Sequence, residues 1–465
     1  MIGFGNRRVA IGLTVGLVVA AACTRTEDPV EHYRSAASAG TGTGGTGSST
    51  GGKGSGTGST GGKPTSTAGT GNAQGGEDDI GLAGAGGEGS VVVPQPPTDF
   101  GCGEPPISSE PFTRKALRAA AAECAQWHYC RLEGGARGLV EALDELSAAP
   151  SEAAQTIARE AYAQAFALTS VTELFQFGPY ASQSTSAGKD SYQGKGYREV
   201  VYSWPLSSRC RVEEQVAQPS ASLGSVLVSA RGLFGLDYLL HYSGTDTECN
   251  PSSAAGKKWA TLSEDEIAAG KLDYAVTLGN DILSQAQQLR ADWSRDEGNF
   301  APQLVNASGY PTEHEAMKVM AWSLLYMERD VKDWKLGLPT AHTANAPVSV
   351  AEAAFSGLKI QAIRQNLIGF RGLYEGCGPE GEGLGFDDWL TEAGHPELAQ
   401  EIIAAYVNAQ ALADAAPQMD EATPAELEAL YQAVKRLTDL LKNDLFGAGS
   451  PIGLTLPPGL EGDTD

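Results

Sequence analysis

One apolar segment holds the charged residues best placed to do chemistry. Residues 229–240 read SARGLFGLDYLL, in which Asp237 is the one carboxylate. Such a carboxylate could bind a cation, but if buried it would need a partner such as Arg231 or a hydroxyl group. Gly232 and Gly235 would each cost a helix roughly 1 kcal/mol relative to alanine. Glycines of this kind usually accompany close helix packing or a binding site, so a packed core helix and a site are both open.

The rest of the chain lacks the common catalytic motifs. It has no GxSxG elbow, no HExxH zinc motif, no GxxxxGK[ST] phosphate loop, and no GxGxxG that opens a helix after a strand. Two metal ligands on one helix must be three or four positions apart, so that they share a face. No two histidines in the sequence have that spacing. The six histidines are His32, His128, His241, His314, His342 and His395.

The cysteines indicate an exported protein. Six follow Cys23, an even number that is compatible with three disulfides in an oxidising compartment. They are Cys102, Cys124, Cys130, Cys210, Cys249 and Cys377. Fifteen pairings are possible and the sequence does not choose among them. The chain has no CxxC, which disfavours a metal cluster.

Apolar periodicity and capping motifs predict that the body of the chain is helical. Residues 151–177 and 311–336 each favour one long helix. Ser263–Glu266 and Thr423–Glu426 are capping boxes that start two more helices. Only Glu199–Trp204 has a short β-like run. The predicted fold class is therefore all-α, with helical bundles as the natural packing.

Two similar segments suggest a duplication. Gly232–Leu236 (GLFGL) and Gly369–Leu373 (GFRGL) each precede a loop that contains a cysteine, and then a helix of similar character. Two related bundles, about 105–300 and 301–447, would explain the match. A chance match between such short segments is the alternative.

The N-terminus is typical of an export signal. Arg7 and Arg8 precede the apolar run Val9–Ala22. As a helix this run would be about 21 Å long, short of the roughly 30 Å bilayer core. Residues 1–22 are therefore predicted to be a signal peptide rather than a membrane-spanning helix.

The end of this run resembles a bacterial lipobox, because small residues precede Cys23. The resemblance implies that Cys23 is lipidated and becomes the first residue of the mature protein. Thr24, rather than aspartate, follows it, which implies sorting to the outer membrane. An ordinary secretory signal with cleavage nearby is the alternative.

Residues 23–98 are predicted to be a lipid anchor followed by a disordered tether, because Gly, Ser and Thr dominate the segment. The folded body is predicted to span 99–465. The net charge of −24 would repel phosphate backbones and anionic lipids, which disfavours nucleic acid as a partner. The expected membrane contact is therefore the lipid at Cys23.

About residues 110–445 resemble the imelysin family of bacterial exported proteins. The landmarks, in chain order, are Glu173–Pro179 (ELFQFGP), Ser203–Pro205 (SWP), Ala230–Leu240, Lys335–Pro339 (KLGLP) and Asn366–Gly376. The resemblance implies two four-helix-like bundles with a pocket between them. It also implies a metal site at a GxHxxE motif, for which peptidase activity or a role in iron uptake has been proposed.

The chain departs from the family pattern within that motif. Gly232 is retained, but Phe234 replaces the histidine and Asp237 replaces the glutamate. A phenyl ring has no lone pair for a metal ion, and one remaining carboxylate is a poor ligand set. A zinc-peptidase mechanism would therefore lack a necessary part.

These observations lead us to expect a lipid-anchored imelysin-like protein that binds a small ligand or an envelope protein without catalysis, with a link to metal or iron uptake. We expect no cofactor. The expected inter-bundle pocket is lined by Arg231, Gly232, Phe234, Asp237 and Arg371. One alternative is a divergent metallopeptidase that holds zinc or iron through other ligands. Another is a structural protein with a vestigial pocket.

Overall fold

The computed structural model describes residues 100–182, 193–342, 351–419, 421–458 and 460. The predicted signal peptide, Cys23 and the tether lie outside the described residues. No helix within the described ranges is long and apolar enough to span a bilayer.

Three long helices and four shorter ones form the first bundle. Its helices are α1 (Arg114–Ala148), α2 (Glu152–Thr172), α3 (Tyr197–Val201), α4 (Arg209–Ala217), α5 (Gly232–His241), α6 (Ala254–Trp259) and α7 (Glu264–Trp293). Helices α2 and α7 both pack on α1, and α5 packs on α7 and α2. The predicted capping box of Ser263 and Glu266 is present at the start of α7.

The second bundle is formed by the remaining helices. They are α8 (Phe300–Val305), α9 (Glu313–Trp322), α10 (Lys359–Tyr374), α11 (Phe386–Glu392), α12 (Pro396–Ala415) and α13 (Pro424–Asp439). A π-helix, Met327–Gly337, lies between α9 and α10, and a second, Leu440–Leu445, extends α13. Helix α12 packs on α10 and α13, whereas α8 packs back on α1 of the first bundle.

The all-α class is confirmed: the described residues contain helices and a single isolated β-bridge. The β-like interpretation of Glu199–Trp204 was wrong over its first half. Residues 197–201 form α3, and extended backbone begins only at Tyr202, which makes the bridge with Gly232. The helix ends where the backbone N–H of Tyr202 donates to the carbonyl of Arg198, and the Arg198 guanidinium donates to the carbonyls of Tyr202 and Trp204 beyond it.

The two long helices predicted over 151–177 and 311–336 are both interrupted. Helix α2 ends at Thr172, just before the buried Glu173. The second region is split into α9, a 3-10 turn at Ser323–Leu325 and the π-helix. Apolar periodicity predicts helical backbone but does not detect a change of helix type, because side chains still point to the same core.

Both GxxGL segments mark close helix packing. A Cβ atom at Gly235 would lie 2.6 Å from Leu278 of α7, and one at Gly369 would lie 2.4 Å from the carbonyl oxygen of Val171 in α2. The first contact is within the first bundle, whereas the second joins α10 to α2 across the two bundles. Glycine therefore allows helix approach in both segments.

The predicted set of three disulfides is confirmed, and the structure resolves the pairing. The bonds are Cys102–Cys130, Cys124–Cys377 and Cys210–Cys249. Cys124 lies on α1 and Cys377 lies in the loop after α10, 253 residues away in the chain. This disulfide therefore connects the two bundles.

Candidate functional site

Asp237 is buried on α5, with 1% of its surface exposed. Its carboxylate accepts the backbone N–H groups of Phe355 and Ser356 at 3.1 and 2.9 Å. Burial raises the pKa of Asp237 to about 6, although these hydrogen bonds act in the opposite direction. Asp237 thus fixes the segment that leads into α10.

Arg231 is not the partner of Asp237, contrary to one of the two partners expected from the sequence. It lies at the N-cap of α5, and its guanidinium forms three hydrogen bonds with Asp281 of α7: Nη2 lies 2.8 Å from both Oδ1 and Oδ2, and Nε lies 3.0 Å from Oδ2. Because Arg231 precedes the helix, its side chain reaches α7 rather than the far end of α5. The arginine therefore joins two helices of the first bundle.

Gly232 has a structural role that the sequence did not specify. Its φ is +68°, which is unfavourable for any residue with a Cβ atom. A Cβ atom here would lie 2.5 Å from the carbonyl oxygen of Val201. Glycine is therefore required where the backbone passes next to α3.

Phe234 is a core residue, with 3% of its surface exposed. The nearest potential metal ligand to Asp237 on the same helix is His241, whose Nδ1 lies 3.7 Å from Asp237 Oδ1. Burial lowers the pKa of His241 to about 4, so the ring is neutral at pH 7. Its Nδ1 lies closer, 3.1 Å, to the backbone carbonyl oxygen of Asp237.

Arg371 makes its polar contacts within α10 and the loop that follows it. It is on α10 and donates to the carbonyl oxygen of Pro379 at 3.0 Å, with Glu375 and Glu380 at 3.7 and 3.4 Å. Among the described residues, no hydrogen bond or ion pair joins it to α5. The structure therefore groups Gly232, Phe234 and Asp237 on one helix and separates Arg371 from them.

A buried ionic network, which the sequence did not reveal as a site, connects the two bundles. At its centre is Glu173, which is fully buried just after α2. One of its oxygens accepts from Arg198 of α3. The other accepts from Lys335 of the π-helix at 2.8 Å and from Asn366 of α10 at 3.0 Å. Four elements of the two bundles thus meet at one carboxylate.

Lys335 extends this network to a second carboxylate. Its ammonium group lies 2.8 Å from Glu352 and 2.8 Å from the amide oxygen of Asn366. Glu352 also accepts from the hydroxyl of Tyr202 at 3.1 Å. The other oxygen of Glu352, Oε2, is buried and has no hydrogen-bond partner among the described residues.

The carboxylates of this region differ in charge state. Burial alone would raise the pKa of Glu173, but Lys335 and Arg198 outweigh it and lower the pKa to about 2. Burial raises the pKa of Glu352 to about 7 despite Lys335, and it raises the pKa of Asp330 in the π-helix to about 7. At neutral pH Glu173 is therefore ionised, whereas Glu352 and Asp330 are near their midpoints.

A signal for this network was present in the sequence. Glu173, Lys335 and Asn366 are the first residues of three of the landmark segments that resemble the imelysin family. In the sequence each of them is part of a local segment, and nothing in the chain indicates that residues 162 and 193 positions apart meet. The signal that they share is a polar residue at the start of a landmark segment.

In the part of the chain that the structure describes, the region around Asp237 does not form a set of three metal ligands. Within the described residues, one group of three His, Cys, Asp or Glu side chains has its ligand atoms all within 4.8 Å of one another, and that group is Cys124, His128 and Cys377. Asp237 and His241 are only two potential ligands, and Asp237 already accepts two backbone amides.

The family model described as Imelysin matches residues 125–443. The chain belongs to the imelysin family. The match spans both bundles and includes all five landmark segments, so the resemblance seen in the sequence is confirmed. It also places Phe234 and Asp237 within an imelysin-family chain.

Relatives of this imelysin-family chain support the same fold. It is 24% identical over 296 residues to iron-regulated protein A of Synechococcus elongatus, covering 62% of this chain and 72% of that one. A solved structure of a candidate iron-regulated protein A precursor from Parabacteroides distasonis has a TM-score of 0.53 at 16% identity, covering 74% and 97% of the two chains. An imelysin-like protein from Psychrobacter arcticum has a TM-score of 0.50 at 15% identity, covering 76% and 99%.

Proposed function

We propose that this imelysin-family protein is a non-catalytic binding component of the cell envelope that takes part in iron acquisition. The absence of catalysis in this proposal rests on two residues of α5, Phe234 and Asp237. Phe234 is a core side chain, and both oxygens of Asp237 accept backbone amides. A carboxylate whose two oxygens both accept backbone hydrogen bonds is a poor metal ligand. A catalytic zinc ion that activates a water molecule is typically held by three protein ligands.

The proposed binding region lies where the bundles meet, beside Asp237 and Glu352. Glu352 supports this position because its Oε2 is buried and has no hydrogen-bond partner among the described residues. A buried oxygen of this kind usually costs free energy unless a donor reaches it. A small ligand that bears a hydrogen-bond donor would satisfy it, and Phe234 would make the neighbouring wall apolar.

The link to iron rests on the relatives, two of which are named for iron regulation. The placement in the envelope rests on the N-terminal sequence and on three disulfides, which form in oxidising compartments. In this proposal Cys23 attaches the protein to the outer membrane by a lipid, and the Gly/Ser/Thr-rich tether holds the helical body away from the bilayer.

The absence of peptidase activity is tested by loading the full-length protein with Zn²⁺ and incubating it with a fluorescently labelled denatured protein. We expect no cleavage above that of buffer alone, with or without a chelator. Cleavage that the chelator abolishes would overturn the proposal in favour of a divergent metallopeptidase.

The role in iron acquisition is tested by measuring the growth of a strain that lacks the gene. We expect slower growth than wild type in iron-depleted medium and equal growth in iron-replete medium, with recovery on expression of the intact protein. A Cys23→Ser variant, which removes the lipidation site, should restore growth only partly. Equal growth of the deletion strain and wild type in both media would contradict the link to iron.

A further inference from the structure

Three metal-ligating side chains meet at the joint between the bundles, away from Asp237. Cys124 and His128 are four residues apart on α1, a spacing that places both on one face of the helix. Cys377 reaches them from the loop after α10. The two sulfurs and a ring nitrogen of His128 all lie within 4.8 Å of one another.

Helix α10 lies close to these atoms. A Cβ atom at Gly372 of α10 would be in van der Waals contact with the cluster, 3.8 Å from both Cys124 Sγ and His128 Nε2, and 3.6 Å from Phe175. Cys124 and His128 are buried, with 1% and 5% of their surfaces exposed, whereas Cys377 is partly exposed. Cys377 is therefore the member of the cluster with the most contact with solvent.

The geometry is close to that of a metal site. In a tetrahedral zinc site with Zn–S bonds of about 2.3 Å, the two sulfurs lie roughly 3.8 Å apart. The Cα atoms of Cys124 and Cys377 are 5.6 Å apart. Rotation of the two side chains would therefore give most of the required separation, without a large movement of α1 or α10.

We propose that Cys124, His128 and Cys377 form a redox-controlled site for a thiophilic divalent cation such as Zn²⁺, closed as a disulfide and open as two thiols. A dithiol reductant donates two electrons and two protons to the Cys124–Cys377 bond and becomes a disulfide itself. Zn²⁺ then replaces the two thiol protons. Two thiolates and one neutral imidazole neutralise the charge of the ion, as a buried site requires.

His128 distinguishes this disulfide. A ring nitrogen of His128 lies within 4.8 Å of both sulfurs, and neutral imidazole is the commonest side-chain ligand for metal ions. The other two disulfides, Cys102–Cys130 and Cys210–Cys249, form no such group of three among the described residues. They serve as internal controls, since a reductant also opens them.

The experiment is a Co²⁺ titration of the full-length protein after anaerobic reduction with a phosphine and removal of the excess reductant. We expect one equivalent of Co²⁺ with a sulfur-to-cobalt charge-transfer band, displacement by Zn²⁺ and release of two protons per Zn²⁺. Oxidised protein should show no such band. A reduced protein that binds no Co²⁺ would overturn the proposal, as would one that loses its helical circular dichroism and does not regain it with Zn²⁺.

Matched variants assign the site. The pair Cys124→Ser/Cys377→Ser should abolish the band, whereas Cys210→Ser/Cys249→Ser should leave it unchanged. His128→Ala can still form its disulfide, so its folding can be checked in the oxidised state, and we expect its reduced form to bind at least about tenfold more weakly. Equal binding by the first pair and wild type would place the metal elsewhere. Because Asp237 is absent from this cluster, metal bound only after reduction is distinguishable from metal bound by the oxidised protein.

Discussion

Two buried carboxylates near the contact of the bundles, Glu173 and Asp237, have opposite environments. Glu173 is held by the cations Arg198 and Lys335, which lower its pKa to about 2. Asp237 accepts two backbone amides, and burial raises its pKa to about 6. The difference shows that burial alone does not determine what a carboxylate does. Its partners determine whether it holds charge, chain segments or a ligand.

Removing the charge of Glu173 should have the largest effect. In Glu173→Gln, Arg198 and Lys335 would remain buried without their common anion, and we expect the free energy of unfolding to fall by about 3–5 kcal/mol. Urea-induced unfolding followed by circular dichroism measures it. The control is Glu214→Gln, which removes an exposed pair with Arg211 and should cost less than about 1 kcal/mol. Similar losses in both variants would show that the network is not stabilised by charge.

Asp237→Ala should lower the free energy of unfolding by less than Glu173→Gln does, and its effect should be confined to the segment that Asp237 holds. Two backbone amides lose their acceptor, which we expect to lower the free energy of unfolding by about 1–3 kcal/mol. Hydrogen exchange should become faster at the amides of Phe355 and Ser356. The exposed Asp273 on α7 gives a control, Asp273→Ala, in which this exchange should not change. Unchanged exchange in Asp237→Ala would contradict the structural role of Asp237.

The pH dependence of stability separates the two carboxylates further. Because the pKa of Asp237 is higher in the folded protein than in the unfolded chain, its contribution makes stability fall as pH rises from about 4 through about 6, by about 3 kcal/mol in all. Glu173 has a lowered pKa, so its contribution is fully present above about pH 4.5 and is lost as pH falls toward 2.

The variant Asp237→Asn tests this sign. Chemical unfolding between pH 4 and 7 should show a smaller decline in stability than wild type, although Glu352, whose pKa is also raised, keeps part of the decline. An unchanged or steeper decline would mean that Asp237 is ionised throughout this range.

Arg371→Ala should have the smallest effect. This side chain contacts the loop after α10 rather than either carboxylate, and partly exposed ion pairs contribute little. We expect less than about 1 kcal/mol in urea unfolding, with no change in hydrogen exchange at Phe355. Faster exchange there would show that Arg371 does belong with Asp237, as the sequence suggested.

Local features of the fold were predictable from the sequence. Capping boxes at Ser263 and Thr423 fix helix starts within a few residues, and both are present. The cost of glycine within helices predicted close packing, which Gly235 and Gly369 show. Each of these signals lies within a few positions of the feature that it predicts.

The partners of buried charges were not predictable in the same way. The nearest arginine to Asp237 in the sequence, Arg231, pairs with Asp281, 50 residues away. The partners of Asp237 are backbone amides, which any residue supplies and which therefore leave no pattern in the sequence. The network around Glu173 joins residues more than 160 positions apart, and only the family landmarks indicated their importance.

A titration of the oxidised full-length protein with Zn²⁺ and with iron, followed by metal analysis, tests whether Asp237 holds a chain segment rather than a metal ion. We expect no tight stoichiometric metal in the wild type, and the same result for Asp237→Ala. One tightly bound equivalent in the oxidised wild type, lost in a folded Asp237→Ala variant, would contradict it.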